Sequence, residues 1–218
     1  SEEFARLAAE IFAANGITVF LFAYLRPTPE LSFAIRQLKA AGGVNITASH
    51  NPKQYNGYKV YWETGAQVMS DIADKMLEKI QKTDMFEGVH RMEYKKAVSN
   101  GNIVILSEEM DEKYLQLVKS LAIHEKEELA TDIAIVYTPL NGAGSRPVQK
   151  ILRERGFCNV SIVEEQKDPD PDFTTVGYPN PEDRKAFALA EKLGTETNAE
   201  VLIATDPDSD RMAVEVRG

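Results

Sequence analysis

Val201-Leu202-Ile203-Ala204-Thr205-Asp206-Pro207-Asp208-Ser209-Asp210-Arg211 joins an apolar run to a D-x-D-x-D loop. Five apolar or β-branched residues ended by an Asp-Pro turn signal read as a buried strand running into a loop. In parallel sheets, ligands bind in loops at the carboxyl ends of strands. This stretch therefore predicts both a sheet and the edge of a site.

Working outward from it, the same alternation recurs. Upstream, the spacing predicts strand Ile133 to Tyr137, a helix from about Ser145 to Arg155, and strand Asn159 to Val163. The loop Glu164 to Tyr178 is rich in Pro and Asp, and Asn180-Pro181-Glu182-Asp183 has the signals of a helix start. Further back, Phe4, Leu7, Ala8, Ile11 and Phe12 repeat at helical spacing, with Gly16 as the stop. An apolar run, Ile17 to Ala23, reads as a strand. Thr28-Pro29-Glu30 opens a helix with a cap residue, a Pro at the first position and an acid near the dipole's positive end. Gly42-Gly43 reads as its end. Short strands follow over Val44 to Thr47 and Gly57 to Glu63, enclosing the loop Ala48 to Asn56. Helices are expected over Asp71 to Lys82 and from Ser107 to about Ile123, with His124 to Thr131 as a connector. Phe86 to Asn102 gives no clear periodicity.

Alternating strands and helices imply parallel sheets covered by helices. The expected fold class is α/β, with two mixed, mostly parallel α/β sandwich domains. The boundary falls near residue 120, giving domains over 1–120 and 121–218. A chain that begins inside an amphipathic helix, with no leading strand, reads as a fragment lacking the first strands of its first domain.

The chain has 218 residues and a net charge of −9, which argues against nucleic-acid binding through exposed Lys and Arg. A phosphorylated ligand would need local cations to overcome the general repulsion. No apolar run reaches membrane-spanning length and no secretory leader is visible. A single cysteine, Cys158, allows no internal disulfide. Together these predict a cytoplasmic protein with neither a nucleic-acid nor a membrane partner.

Asp206, Asp208 and Asp210 crowd three carboxylates that repel one another, and a hard divalent cation offsets that repulsion. One such Asp would be an ordinary acidic turn; three at alternate positions favour metal. A calcium loop needs Gly at position six and Glu at position twelve. Those positions hold Arg211 and Arg217, so calcium fails. Magnesium takes few protein carboxylates and completes its shell with phosphate or water. The loop thus predicts a phosphate partner, with Arg211 placed to contact it. A nucleotide-sugar glycosyltransferase remains an alternative, since such enzymes also use D-x-D.

Thr47-Ala48-Ser49-His50-Asn51-Pro52 exposes a serine hydroxyl in a stiff turn. The bland reading is a polar turn. A hydrolase nucleophile is disfavoured because G-x-S-x-G is absent. His50 also follows Ser49 directly, and in an extended segment neighbours point to opposite faces. A serine that carries a phosphoryl group explains the acidic loop, because its phosphate supplies a further metal ligand. Lys59 could serve as acid/base or hold charge; by itself it reads better as a solvated strand lysine.

Thr47 to Pro52 with Asn56-Gly57-Tyr58-Lys59, and Asp206 to Arg211, resemble two motifs of the α-D-phosphohexomutase family of phosphoglucomutases and phosphomannomutases. Pro27-Thr28-Pro29 and Tyr178-Pro179-Asn180-Pro181-Glu182 match as well. Lys59 to Gln67 looks closest to the branch of glucose and pentose mutases. Thr138-Pro139-Leu140-Asn141-Gly142 departs, with Asn where the family often has His. The resemblance covers nearly the whole chain and implies the first two domains of a four-domain enzyme, without domains III and IV.

It implies a magnesium-dependent phosphotransferase interconverting sugar 1-phosphate and 6-phosphate through a phosphoserine and a sugar 1,6-bisphosphate. Glucose is the first expected sugar and mannose the next; a phosphopentomutase or a sugar-bisphosphate synthase is the alternative. The implied catalytic residues are Ser49, His50 and Lys59. Ser49 and Arg211 would hold phosphate, and Ser49, Asp206, Asp208 and Asp210 the metal. The 218 residues alone are expected not to turn over.

Overall fold

The computed structural model describes residues 1–217. The chain sorts into two compact units. Residues 1–24, 31–47 and 57–110 form the first; residues 25–30, 48–56 and those from Asp111 onward form the second.

In the first unit, α1 (Glu2–Ala14) leads into β1 (Val19–Phe22), a narrower strand than the apolar run suggests. The buried face of α1 is Ala9, Glu10 and Ala13, while Phe4 and Leu7 are exposed. The expected apolar face is therefore off by part of a turn. The reason lies in what the helix packs on. Ala9 and Ala13 form a small core with Ala97 and Ile103, flanked by Val19, Leu21, Met92 and Tyr94. Alanines let the backbones approach closely, and Glu10 is admitted because it accepts from the Tyr94 N–H at 3.0 Å and pairs with Arg91. The unassigned stretch before residue 102 contains a short helix, α4 (Tyr94–Ser99), and β4 (Ile103–Leu106) follows it. Strand β4 lies parallel to β1; it is not among the expected strands, although its apolar run Ile103 to Leu106 after Ser99-Asn100-Gly101 is a strand signal.

Helix α2 (Thr28–Leu38) spans the two units; its first turn belongs to the second. It ends at Lys39, which takes a left-handed φ of 52°, with the Ala40 N–H reaching back to the Ile35 carbonyl at 2.9 Å. Gly42 and Gly43 are thus not the stop but the first residues of β2 (Gly42–Ile46). A Cβ on Gly43 would sit 2.6 Å from Ile35 Cδ1, so glycine lets the strand pass under the helix. Strand β2 pairs antiparallel with β3 (Tyr58–Trp62). Helix α3 (Ser70–Gln81) follows.

After α5 (Glu108–Ser120), the second unit is a four-stranded sheet in the order β6-β5-β7-β8. Strands β5 (Ile135–Thr138), β6 (Val160–Ile162) and β7 (Val201–Thr205) are parallel; β8 (Met212–Val216) runs antiparallel on the edge. The mixed, mostly parallel sheet is the expected class, although β8 itself gave no signal. Strand β5 is buried at all four positions, as a central parallel strand must be. Helix α6 (Ser145–Glu154) follows β5. The helix expected at Asn180 starts later. Asn180 to Asp183 form turns, Arg184–Phe187 is a single 3₁₀ turn capped by Asp183, and α7 (Ala188–Thr197) follows. Phe187 and Ala190 from this segment pack with Val136, Leu140, Val163 and Ala204 into the unit's core. The parallel strands β5 and β7 are neighbours, so the loops at their carboxyl ends lie together.

Candidate active site

Four segments of the second unit converge at that end: loop 206–211 after β7, loop 139–144 after β5, the Ser49 loop, and the first turn of α2. Asp206 is fully buried and Asp208 is 4% exposed, while Asp210 faces outward. One carboxylate oxygen of each lies within 4.8 Å of the others. Burial first, and then the charge of Asp208, push the Asp206 carboxyl up to about 6. That is the physical mark of crowded acids. Three convergent oxygens whose repulsion a hard cation relieves could hold a metal ion, with Asp206, Asp208 and Asp210 as the candidate ligands.

The loop is held from several sides. Asp206 Oδ1 accepts from the backbone N–H groups of Asp210 and Arg211 at 3.2 and 3.1 Å. The Arg211 guanidinium reaches Asp206 Oδ2 at 3.3 Å and Glu182 Oε1 at 3.3 Å. Arg211 therefore serves as the counter-charge of the acidic loop, and Glu182, to which the sequence assigns no role, orients it. The Ala143 N–H donates to the Pro207 carbonyl at 2.8 Å. Gly142 and Gly144 permit this approach. A Cβ on Gly142 would lie 2.5 Å from Pro207 Cα, and one on Gly144 would meet Ser209 Oγ, Thr205 Oγ1 and the Tyr137 hydroxyl, each at 2.7 Å. Asn141, at a φ of 60°, donates from Nδ2 to the Asp168 carbonyl at 2.7 Å. Asn tolerates the left-handed region better than most residues, and its amide ties this loop to the Asp168 carbonyl.

Ser49 Oγ donates to Asp206 Oδ2 at 3.0 Å. The same hydroxyl lies 3.2 Å from His50 Nδ1, with the direction of that bond set by the imidazole tautomer. The expectation that adjacent side chains diverge fails here. Ser49 sits at a φ of 52° in a turn, not in an extended segment, and the left-handed backbone swings the two side chains together. A non-glycine residue in that region carries strain, and such strain gathers at functional sites. The His50 ring meets Tyr178 edge-on at 6.3 Å between centroids. Partial burial and then the Arg211 charge hold His50 below its ordinary value, so the neutral, proton-accepting form is favoured at pH 7. Ser49, His50, Asp206, Asp208, Asp210 and Arg211 are brought together in the second unit. Lys59 stands on β3 in the first, opposite Asn45. Thr28, read only as a helix start, donates from Oγ1 to Asp208 Oδ2 at 3.0 Å. Nothing in a sequence separation of 180 residues announces that bond.

Comparison with known proteins places this geometry among relatives. Residues 1–87 match the family model of phosphoglucomutase/phosphomannomutase α/β/α domain I, and residues 112–218 that of α/β/α domain II. A phosphoglucomutase of Staphylococcus saprophyticus is 39% identical over 212 residues, covering 97% of this chain and 38% of that protein. A human phosphopentomutase is 39% identical over 219 residues, covering 98% of this chain and 35% of that protein. A crystal structure from Thermus thermophilus, described as a phosphomannomutase, superposes with a TM-score of 0.80 at 32% identity, covering 99% of this chain and 45% of the other. The chain thus spans little more than a third of the length of these curated relatives.

Proposed function

We propose, since this chain belongs to the phosphoglucomutase/phosphomannomutase family, that the protein carrying it is a magnesium-dependent sugar-phosphate mutase with Ser49 as its phosphate carrier. The observation that carries this reading is the 3.0 Å bond from Ser49 Oγ to Asp206 within the three-carboxylate cluster. A phosphoryl group on Ser49 would stand against that cluster. The ion held by Asp206, Asp208 and Asp210 supplies charge neutralisation, the chief requirement of phosphoryl transfer.

In the forward step, a hydroxyl of the sugar monophosphate attacks the Ser49 phosphorus. The bond from phosphorus to Ser49 Oγ breaks, the hydroxyl proton leaves to a base, and Ser49 Oγ takes up a proton from the protonated His50, which is left neutral. In the return step, Ser49 Oγ attacks the other phosphorus of the bisphosphate and its proton passes to His50, 3.2 Å away and held neutral. The bond from that phosphorus to the sugar oxygen breaks, and the sugar oxygen takes back the proton that the base gained in the forward step. Arg211, once it trades Glu182 for the phosphate, steadies the transferring group. Lys59 is the second proton-transfer candidate.

Glucose phosphate is the first substrate reading and mannose phosphate the next; a pentose phosphate or bisphosphate synthesis is the alternative within the family. The sugar-recognition loops belong to further domains, III and IV, so the 218 residues alone do not turn over. The division near residue 120 and a cytoplasmic setting belong to the same proposal. Among the described residues, no helix is long and apolar enough to cross a membrane. A nucleotide-sugar transferase would leave Ser49 without work.

The test is mass spectrometry of the full-length protein after exposure to hexose 1,6-bisphosphate and Mg²⁺, beside an assay of 1-phosphate to 6-phosphate conversion. Phosphate on Ser49 and loss of conversion in Ser49→Ala are expected. Conversion without phosphate on Ser49 would sink the reading.

A further inference from the structure

Asp208 is held twice by one residue. The Thr28 backbone N–H donates to the Asp208 carbonyl at 2.8 Å, and its hydroxyl donates to Asp208 Oδ2 at 3.0 Å. Two bonds from a single residue fix both the backbone position and the plane of the carboxylate. Thr28 is well suited to the task. It is 7% exposed, β-branched and hence stiff at χ1, and flanked by Pro27 and Pro29, which restrict its backbone.

The segment is anchored on either side of Thr28. Arg26 grips Asp111 of α5 with a two-pronged ion pair at 2.7 and 2.6 Å. Glu30, 1% exposed, lies 3.8 Å from the Arg26 guanidinium. A two-pronged guanidinium–carboxylate pair sets orientation as well as distance. The start of α2 is thereby tied to α5, and Thr28 is presented to the acidic loop in one geometry.

We propose that Thr28 is the positioning residue for Asp208, orienting that carboxylate for a divalent cation through its hydroxyl and N–H while the Arg26–Asp111 pair holds the turn in place. This rests on the reading of Asp206, Asp208 and Asp210 as a cation site. Thr28 touches neither substrate nor reacting atoms. Its contribution is to fix the ligand before the cation arrives, as outer-shell hydrogen bonds do at metal sites.

The test is Mn²⁺ titration of the 218-residue chain, read by the paramagnetic signal of free Mn²⁺, for the wild type, Thr28→Val and Thr28→Ser, with melting curves alongside. Thr28→Val keeps the shape and the N–H but removes the hydroxyl; about ten-fold weaker Mn²⁺ binding is expected, the low end for an outer-shell partner. Thr28→Ser restores the hydroxyl and is expected to bind within about three-fold of the wild type. A folded Thr28→Val that binds Mn²⁺ like the wild type overturns the role of Thr28 and leaves the cation site standing. A Thr28→Ser that loses about ten-fold also overturns it, whether or not the valine variant folds. A wild type that binds no Mn²⁺ overturns the cation reading itself.

Discussion

Gly142→Ala places a methyl group where the acidic loop already stands. The added Cβ would lie 2.5 Å from Pro207 Cα, 2.7 Å from the Pro207 carbonyl oxygen and 2.8 Å from the Pro139 carbonyl oxygen. All three are backbone atoms, so no side chain can swing away. Gly142 is outside the positive-φ glycines, and alanine can adopt its backbone; space is the whole objection. Ordinary carbon contact needs about 3.5 Å or more, so the chain at Pro207 must retreat by about 1 Å. That retreat stretches the Ala143 N–H to Pro207 carbonyl bond, now 2.8 Å, and displaces Asp206 and Asp208 on either side. Overpacking of this kind costs about 1–3 kcal/mol. For a chain of this size that is a fall in melting temperature of roughly 2–12 °C. Calorimetry measures the fall, and Mn²⁺ titration measures the displaced carboxylates as weaker binding. A variant that melts within about 1 °C of the wild type, with unchanged Mn²⁺ affinity, would refute the account of the glycine as a spacer.

Other perturbations read different parts of the structure. Burial, then the hydrogen bond and charge of Asp111, raise the Glu30 carboxyl to about 8 from 4.5. Its stabilising contribution is then full below the unfolded value and is lost as pH rises from 4.5 through 8. Glu30→Gln should flatten that loss in urea unfolding between about pH 5 and 8, and an unchanged slope would count against a protonated Glu30. Asp206, raised to about 6, must give up its proton to hold a cation, so Mn²⁺ affinity should drop about ten-fold from about pH 7.5 to about pH 5; a flat profile speaks against Asp206 as a ligand. Arg26→Met removes the guanidinium that Asp111 and Glu30 face and should cost about 3–5 kcal/mol in unfolding free energy, whereas a loss under about 1 kcal/mol would place the pair among weak surface bridges. Glu10→Ala strips the acceptor from the Tyr94 N–H in the first unit, and a loss of about 1–3 kcal/mol is expected by chemical denaturation; no loss would mean that water replaces the carboxylate.

Local signals carry much of this far. Apolar runs such as Val201 to Thr205 read as strands because they are short, rich in β-branched residues and bounded by turn signals, which a buried helix of ten or more residues would not be. The acidic loop is legible as a candidate cation site because like charges at alternate positions need an external reason to stay together. Ser49 is legible from the small residues and proline around its loop. Less is legible where the partner is distant. The polar stretch before residue 102 shows no period of its own, and that β4 lies parallel to β1, more than 80 residues away, is decided by the pairing of the two strands. The buried face of α1 departs from its apolar periodicity because Glu10 is buried by Tyr94 and Arg91, more than 80 residues away.

The sequence by itself determined the α/β class, the Ser49 loop and the three aspartates, since each depends on residues that are neighbours in the chain. Only the tertiary structure decided that His50 faces the Ser49 hydroxyl, because that follows from one left-handed dihedral no residue type dictates. It alone decided that Gly142 makes room for the Pro207 backbone and Gly144 for the Ser209, Thr205 and Tyr137 hydroxyls, that Glu182 holds Arg211, and that Thr28 holds Asp208. Those contacts join segments distant along the chain, and they exist because adjacent parallel strands bring their carboxyl-end loops to one place.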